Sequence, residues 1–125
     1  MKHTILVTGS SRGIGRAAAE RFAREGHRVA LHCHERRAET DALCASLAAG
    51  GCSVMAVQGD VADEAAVGAL CKRVAAEMGP IYALVNNAGI SAREPLADYK
   101  PEAFKAIMDL NVTGTVVSVD GAAQT

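Results

Sequence analysis

The sequence predicts an α/β fold in which short buried strands alternate strictly with amphipathic helices. Three observations support this: apolar runs of four or five residues, helical repeats of apolar residues between them, and glycines where the helices end. Strict alternation with short connections favours right-handed crossovers and a parallel sheet. We therefore expect a doubly wound parallel sheet of five strands, in the order 3-2-1-4-5, with two helices on each face.

Each predicted strand is an apolar run without polar alternation, which is typical of strands covered on both faces. In the first helix, over about residues 13–25, Ile14, Ala18 and Phe22 share one face, and Gly26 follows it. The predicted strands are Thr4–Val7, Val29–Cys33, Val54–Val57, Ile81–Val85 and Thr115–Val119. The later helices are marked by Leu43 and Leu47, by Val67, Leu70, Val74 and Met78, and by Phe104, Ile107, Met108 and Asn111.

Composition excludes several classes of protein. The 125 residues predict one domain, 1–125, and the net charge of -1 argues against a nucleic-acid partner. No apolar run is long enough for a membrane span, and the N-terminus does not resemble a secretion signal. The cysteines form no C-x-x-C pair, and because no secretion signal is recognised we expect reduced thiols and a cytoplasmic location. They are Cys33, Cys44, Cys52 and Cys71.

A glycine-rich turn, Thr8-Gly9-Ser10-Ser11-Arg12-Gly13-Ile14-Gly15, joins the first strand to the first helix. Gly9 permits a tight turn, Gly13 lets a phosphate approach the backbone, and Gly15 lets the helix lie close on the sheet. The N-terminus of the helix offers free N–H groups and a partial positive charge to a pyrophosphate. Between a strand and a helix, this turn predicts a dinucleotide site.

The spacing of these glycines resembles the T-G-x-x-x-G-I-G motif of the short-chain dehydrogenase/reductase family. Three later segments fit that family in the same order: Gly59-Asp60-Val61, Asn86-Asn87-Ala88-Gly89 and Asn111-Val112-Thr113-Gly114. The resemblance covers residues 1 to about 114 and is nearest to the bacterial 3-oxoacyl-carrier-protein-reductase-like members. It implies a Rossmann-type fold and hydride transfer between a nicotinamide dinucleotide and a small carbonyl or alcohol substrate.

The resemblance and the charges near the turn together define the expected site. Asp60 would meet the adenine, and Asn111 would be the catalytic asparagine of a proton relay. His32 and a second histidine two residues later could share a zinc ion, but the sequence places no third ligand, so no metal is expected. The expected cofactor-binding residues are Gly9, Ser11, Arg12, Gly13, Ile14, Gly15, His34, Arg36, Asp60, Val61, Asn87, Ala88 and Gly89.

The end of the second strand predicts NADP(H) in preference to NAD(H). An NAD site places an acid about 20 residues after the glycines to bond the ribose 2′-OH, but Cys33 holds that position. Two alternatives stay open: Glu35 could reach the 2′-OH, or the neighbouring arginines could form a solvated helix start. The cations that would suit a 2′-phosphate are Arg12, His34, Arg36 and Arg37.

The chain lacks the Tyr-x-x-x-Lys pair with which the family moves a proton at the substrate oxygen. Its two tyrosines, Tyr82 and Tyr99, are followed four residues later by Asn86 and Ala103. Tyr82 is expected in the core. Of the family's relay only Asn111 is present, and it could instead bond backbone near the fourth strand. We therefore expect a catalytically impaired chain.

Residues 115–125 resemble the family's last strand, T-G-x-x-x-x-V-D-G-G, because Thr113-Gly114 precedes Val119-Asp120-Gly121. Family members are about twice this length, so the resemblance implies an internal deletion that joins the 1–114 half to a C-terminal strand and tail. The alternative is a degraded fifth strand with Ser118 near the catalytic serine. The lost segments would uncover an apolar sheet edge, which predicts homo-oligomers through that edge.

Three functions are compatible with these observations. The first is an NADP(H)-binding oxidoreductase domain with impaired catalysis. The second is an active reductase in which water, Ser118 or Tyr99 supplies the proton, with a loss of roughly 10²–10⁴-fold. The third is a non-catalytic nucleotide-sensing or scaffold protein that uses the exposed sheet edge.

Overall fold

A computed structural model describes residues 2–89 and 100–125, in which a parallel sheet lies between two layers of helices. The sheet has four strands in the order 3-2-1-4, so the predicted doubly wound α/β class is confirmed and the number of strands is not. The elements are β1 (Thr4–Val7), α1 (Gly13–Arg24), β2 (Arg28–Cys33), α2 (Arg37–Ala49), β3 (Val54–Gln58), α3 (Glu64–Met78), β4 (Ile81–Val85), α4 (Pro101–Met108) and α5 (Gly114–Ala123), with a π-helical turn, Asp109–Thr113, between the last two.

β1 lies at the centre of the sheet and is buried along its whole length. Leu6 pairs in register with Ala30 of β2 on one side and with Leu84 of β4 on the other. The winding therefore reverses between β1 and β4, as predicted. In a sheet of this kind, ligands bind beyond the carboxyl ends of the strands at the reversal.

Each face of the sheet carries its own apolar cluster, because successive side chains of a strand point to opposite faces. On one face, Ile5 and Val7 pack against α1 and α2. On the other, Leu6 packs with α3, and the continuous helical stretch 101–123 adds Leu110 and Val117. Within the described ranges, no helix combines the length and apolar character needed to cross a membrane.

The prediction of a strand at 115–119 is wrong, because these residues lie in α5. Gly114, Ser118 and Gly121 lie at helical spacings of four and three, and both Gly114 and Ser118 are buried. A Cβ on Gly114 would lie 2.9 Å from Cγ2 of Val61. The strand preference of β-branched residues is weak, and close packing against neighbouring elements overrides it. The segment thus does not form the last strand on which the inferred internal deletion depends.

Replacing Gly121 with Leu should push α5 away from α3. A Cβ at this position would lie 2.9 Å from Cγ1 of Val67 and 3.2 Å from Sγ of Cys71. Overpacking costs about 1–3 kcal/mol or more, while removing a helical glycine returns at most about 1 kcal/mol. We expect the free energy of unfolding, measured by denaturant titration, to fall by at least about 1 kcal/mol.

Val116→Leu is the matched control for that substitution. It introduces the same residue into the same helix at a position that is 65% exposed, where the side chain meets solvent. A Gly121→Leu chain as stable as the Val116→Leu chain would contradict the packing of α5 on α3.

Tyr82 lies on the outer edge of the sheet and not in the core, so that prediction is wrong. Its side chain is 70% exposed because β4 is an edge strand, and its ring stacks on His3 with centroids 3.7 Å apart. Among the described residues, no strand pairs with the outer side of β4. A shallow cleft of about 250 Å³ lies between β4 and α5, with Tyr82 and Val119 in its wall.

Candidate functional site

The turn between β1 and α1 leaves the N-terminus of α1 open. Gly9 and Gly13 have φ values of 65° and 64°, in the left-handed region that favours glycine. Arg12 precedes the helix in an extended conformation, and its side chain does not cap it. A Cβ on Gly13 would meet no atom within 4 Å. The first N–H groups of α1 therefore face open space, which is the arrangement that binds anions.

The loop after β4 is bonded directly to this turn. Thr8 Oγ1 accepts hydrogen bonds from the N–H groups of Asn87 and Ala88, each at 3.1 Å. Asn87 Nδ2 donates to the carbonyl oxygen of Gly9 at 2.9 Å. A Cβ on Gly15 would collide with both partners of that last bond. Gly15 thus leaves room for the hydrogen bonds that join the two loops. The sequence had instead predicted that Gly15 lets α1 lie close on the sheet.

His32 connects the turn to a third loop. Its Nδ1 accepts from the Gly9 N–H at 3.0 Å, and its Nε2 lies 2.7 Å from the carbonyl oxygen of Gly59. Both bonds form in one neutral tautomer, with the proton on Nε2. Burial lowers the pKa of His32, and the nearby His34 adds to that effect, while the Gly59 hydrogen bond and Asp60 act in the opposite direction. Since both ring nitrogens have main-chain partners, His32 is not positioned as a metal ligand.

A cavity of about 510 Å³ opens at this end of the sheet. It lies where the carboxyl ends of β1, β2 and β4 meet the N-terminus of α1, which is where the reversal of the winding predicts a ligand. The predicted residues that line it are Gly9, Ser11, Arg12, Gly13, His34, Arg36, Val61, Asn87, Ala88 and Gly89.

Four predicted site residues lie outside the cavity lining. Ile14 is 82% exposed, and Gly15 lies behind the turn, against Asn87. Asp60 uses its Oδ1 to accept the N–H of Ala62 at 2.9 Å. Asn111, in the π-helical turn, has its Oδ1 only 3.2 Å from the position of a Cβ on Gly89, so it lies beside the loop after β4.

The candidates for an alternative proton donor are placed differently. Ser118 is buried in α5 and is not part of the cavity lining. Tyr99 lies outside the described residues.

Four lining residues are not among the expected cofactor-binding residues: His32, Cys33, Glu35 and Leu110. The sequence analysis considered Cys33 and Glu35 only as positions that decide between NAD(H) and NADP(H). A histidine in an otherwise apolar strand was the available signal for His32, because a buried imidazole needs hydrogen-bonding partners. Leu110 gave no signal, since it reaches the cavity from a π-helical turn.

The cations predicted near the second strand divide into two groups. Arg12, His34 and Arg36 line the cavity, together with Glu35. Arg36 also pairs with Glu39 at 2.9 Å. Arg37 pairs with Asp41 at 2.9 Å and is outside the lining, so for Arg37 the solvated helix start is the better interpretation.

Cys33 occupies the end of β2 where an NAD site would carry an acid. Its side chain is only 2% exposed, and Sγ lies 3.8 Å from the carbonyl oxygen of Val57. The described wall of the cavity therefore has a cysteine side chain at this position, and Arg12 and Arg36 belong to the same wall.

Residues 3–125 match the family model described as short chain dehydrogenase. The chain belongs to the short-chain dehydrogenase family. The match includes residues 115–125, which the sequence predicted to be the family's last strand and which lie mostly in α5.

Curated short-chain dehydrogenases similar to the chain include reductases of acyl-carrier-protein substrates. It is 37% identical over 114 residues to 3-oxoacyl-(acyl-carrier-protein) reductase FabG from Staphylococcus aureus, covering 91% of this chain and 46% of that protein. It is 40% identical over 109 residues to the corresponding reductase from Synechocystis, covering 87% and 44%. The chain spans about half the length of the curated relatives it matches.

Two solved structures with bound dinucleotide superpose closely on the chain. A short chain dehydrogenase from Burkholderia cenocepacia, in complex with NADP, matches with a TM-score of 0.91 and 38% identity, over 98% of this chain and 50% of that one. A blue fluorescent protein from a metagenomic library, in complex with NADPH, matches with a TM-score of 0.91 and 33% identity, over 98% and 51%.

Proposed function

We propose that this chain forms the NADP(H)-binding part of a short-chain dehydrogenase oxidoreductase. The observation that carries the proposal is the uncapped N-terminus of α1, which opens with Gly13 into a cavity of about 510 Å³. Unpaired helix N–H groups and the helix dipole favour a pyrophosphate there. When bound, the dinucleotide would supply hydride transfer to or from a small carbonyl or alcohol substrate.

The residues around Cys33 favour NADP(H) over NAD(H). Arg12 and Arg36 both line the cavity and can offer charge-assisted hydrogen bonds to a 2′-phosphate. Cys33 holds the position at which an NAD site carries an acid, so that position offers no carboxylate to a free 2′-OH. Glu35 also lines the cavity, so binding of NAD(H) through that carboxylate is the competing possibility.

The chain's own catalytic contribution is proposed to be small. It contains no Tyr-x-x-x-Lys pair, and a positioned proton donor is worth roughly 10²–10⁴-fold in rate. Asn111 corresponds to the family's asparagine and lies beside the loop that carries Gly89. We propose that it orders that loop and any relay of protons near it. The four free cysteines and the acyl-carrier-protein reductase relatives support a cytoplasmic location.

A thermal melt with and without NADP⁺ tests folding and binding together. At about 100 times Kd, a ligand that binds only the folded state adds about 2.7 kcal/mol to the free energy of unfolding. We expect a rise of several degrees in Tm, with a smaller rise for NAD⁺ at the same concentration. A cooperative melt that is unchanged by millimolar NADP⁺ would reject the proposal.

A second candidate function is a non-catalytic scaffold that associates through the edge of β4. It is favoured by the exposed Tyr82 and by the cleft between β4 and α5, because an uncovered strand edge invites pairing with another chain. Light scattering distinguishes the candidates. A mass that rises with concentration and shifts with NADP⁺ would favour the scaffold, whereas oxidation of NADPH by a small carbonyl compound would favour the enzyme.

A further inference from the structure

We propose that His32 is a positioning residue for the dinucleotide, and that its neutral imidazole holds the glycine-rich turn in the shape that binds a pyrophosphate. Acid pH would then release the ligand. This inference rests on the proposed function. It adds to the same site a positioning residue, His32, and a dependence of dinucleotide binding on pH.

The geometry makes His32 the link between three strand ends. Its ring accepts the N–H of Gly9 after β1, at 3.0 Å, and bonds the carbonyl oxygen of Gly59 after β3, at 2.7 Å. Its main-chain N–H donates to Ser10 Oγ at 2.8 Å, and its carbonyl oxygen accepts the Ser10 N–H at 2.9 Å. The residue is 1% exposed, so water cannot easily replace these partners.

Protonation of His32 adds a hydrogen to Nδ1, the ring atom that accepts the N–H of Gly9. A neutral ring with its proton on Nε2 accepts at Nδ1 and donates at Nε2, as the two bonds require. In the imidazolium both nitrogens donate, so Nδ1–H would face the N–H of Gly9 and neither group would have an acceptor. Buried donors without acceptors destabilise the arrangement that contains them. The first glycine of the turn must then move, and Gly9 is part of the cavity wall.

The charges near the ring oppose one another. His34 of the β2–α2 loop disfavours the imidazolium, and Asp60 of the β3–α3 loop favours it. Arg12, Glu35 and Arg36 line the same cavity. Burial has the largest effect and lowers the pKa of His32, so the ring is neutral at physiological pH. The folded state therefore loses stability as pH falls from the ordinary histidine range towards the lowered pKa, because the unfolded chain binds the proton first.

A bound pyrophosphate would itself attract an imidazolium, which gives the opposite dependence on pH. The loss of the Gly9 hydrogen bond acts at contact distance inside the protein, while the phosphate charge is exposed to solvent and screened. We expect the contact effect to be larger. Affinity that rises as pH falls would show that the charge effect is larger and would overturn the inference.

The test compares NADPH binding to wild type and two variants between about pH 5 and about pH 8. Wild type should lose at least about tenfold in affinity at the acid end, which corresponds to about 1.4 kcal/mol. His32→Gln, which cannot titrate, should bind more weakly at neutral pH and lose less than about threefold. His27→Gln, at the opposite end of the strands, should follow wild type. The 2′-phosphate of NADPH and the residue His34 are common to all three comparisons, so their effects cancel.

NMR of the histidine rings in the wild-type chain provides a second measurement, which needs no variant to fold. The expected spectrum has the proton of His32 on Nε2 at neutral pH and a titration below the usual histidine range. A proton on Nδ1, or a His32→Gln chain that loses affinity as steeply as wild type, would overturn the inference. Wild type that binds no dinucleotide at neutral pH would overturn the proposed function as well, whereas binding with a pH profile independent of His32 would overturn this inference alone.

Discussion

Replacing Gly15 with Ala should strongly weaken dinucleotide binding and destabilise the chain. In most helices this substitution stabilises by about 0.5–1 kcal/mol. Here the added Cβ would collide with Asn87 Nδ2 and the carbonyl oxygen of Gly9, which bond each other at 2.9 Å. Separating them leaves partly buried polar groups unpaired, at about 1–3 kcal/mol, and overpacking adds a similar cost. We expect a net loss of about 2 kcal/mol in the free energy of unfolding and a rise of at least about 100-fold in the Kd for NADPH.

Gly68→Ala is the matched control, since it makes the same change within a helix. A Cβ on Gly68, in α3, would meet no atom within 4 Å. We expect Gly68→Ala to stabilise slightly in a denaturant titration and to leave the Kd unchanged. If both variants bound NADPH like wild type, the hydrogen bonds between the glycine-rich turn and the loop after β4 would have no part in dinucleotide binding.

The double variant Arg12→Ala/Arg36→Ala should lose its preference for NADPH. Each charge-assisted contact to a 2′-phosphate is worth about 1.5–3 kcal/mol, or roughly tenfold to a hundredfold in affinity. Arg36 also forms an ion pair with Glu39. Because Glu39 competes with the 2′-phosphate for the guanidinium, the contribution of Arg36 to binding is reduced. We expect the Kd for NADPH to rise at least about 100-fold, while the Kd for NADH changes less than about threefold. Fluorescence titration with both cofactors measures this.

Arg37→Ala is the control for the loss of positive charge. Arg37 is adjacent to Arg36 in sequence but pairs with Asp41 and is not part of the cavity lining, so its removal should leave both Kd values close to wild type. Equal weakening of NADH and NADPH in the double variant would show that the arginines do not recognise the 2′-phosphate. Wild type that binds NAD⁺ more tightly than NADP⁺ would favour the Glu35 alternative.

Local sequence was sufficient for most of the fold and for the outline of the site. The bounds of β1, β4 and α1 were predicted to within one residue. The two strands are short apolar runs, α1 is a segment of helical periodicity, and each is followed by glycine or a polar residue. The open helix N-terminus followed from Gly9 and Gly13, whose positive φ values are a property of the turn itself. These features depend on residues that are neighbours along the chain.

The errors arose where distant segments meet. The β-branched run at 115–119 became helix because Gly114 and Gly121 let α5 pack closely on the β3–α3 loop and on α3. Tyr82 is exposed because β4 is at the edge of the described sheet. Arg36 and Arg37 both pair with an acid of α2, and only their positions relative to the cavity separate them, since Arg36 lines it and Arg37 does not.

The alternation of strands and helices, the glycine turn and the kind of ligand that such a turn binds were predictable from residue order, because they follow from periodicity and backbone preference. The space that Gly15 leaves for Asn87, and the connection that His32 makes between Gly9 and Gly59, became visible in the folded chain alone. Hydrogen bonds between residues 23 to 78 positions apart depend on how the chain folds back on itself, and neither spacing nor composition specifies them.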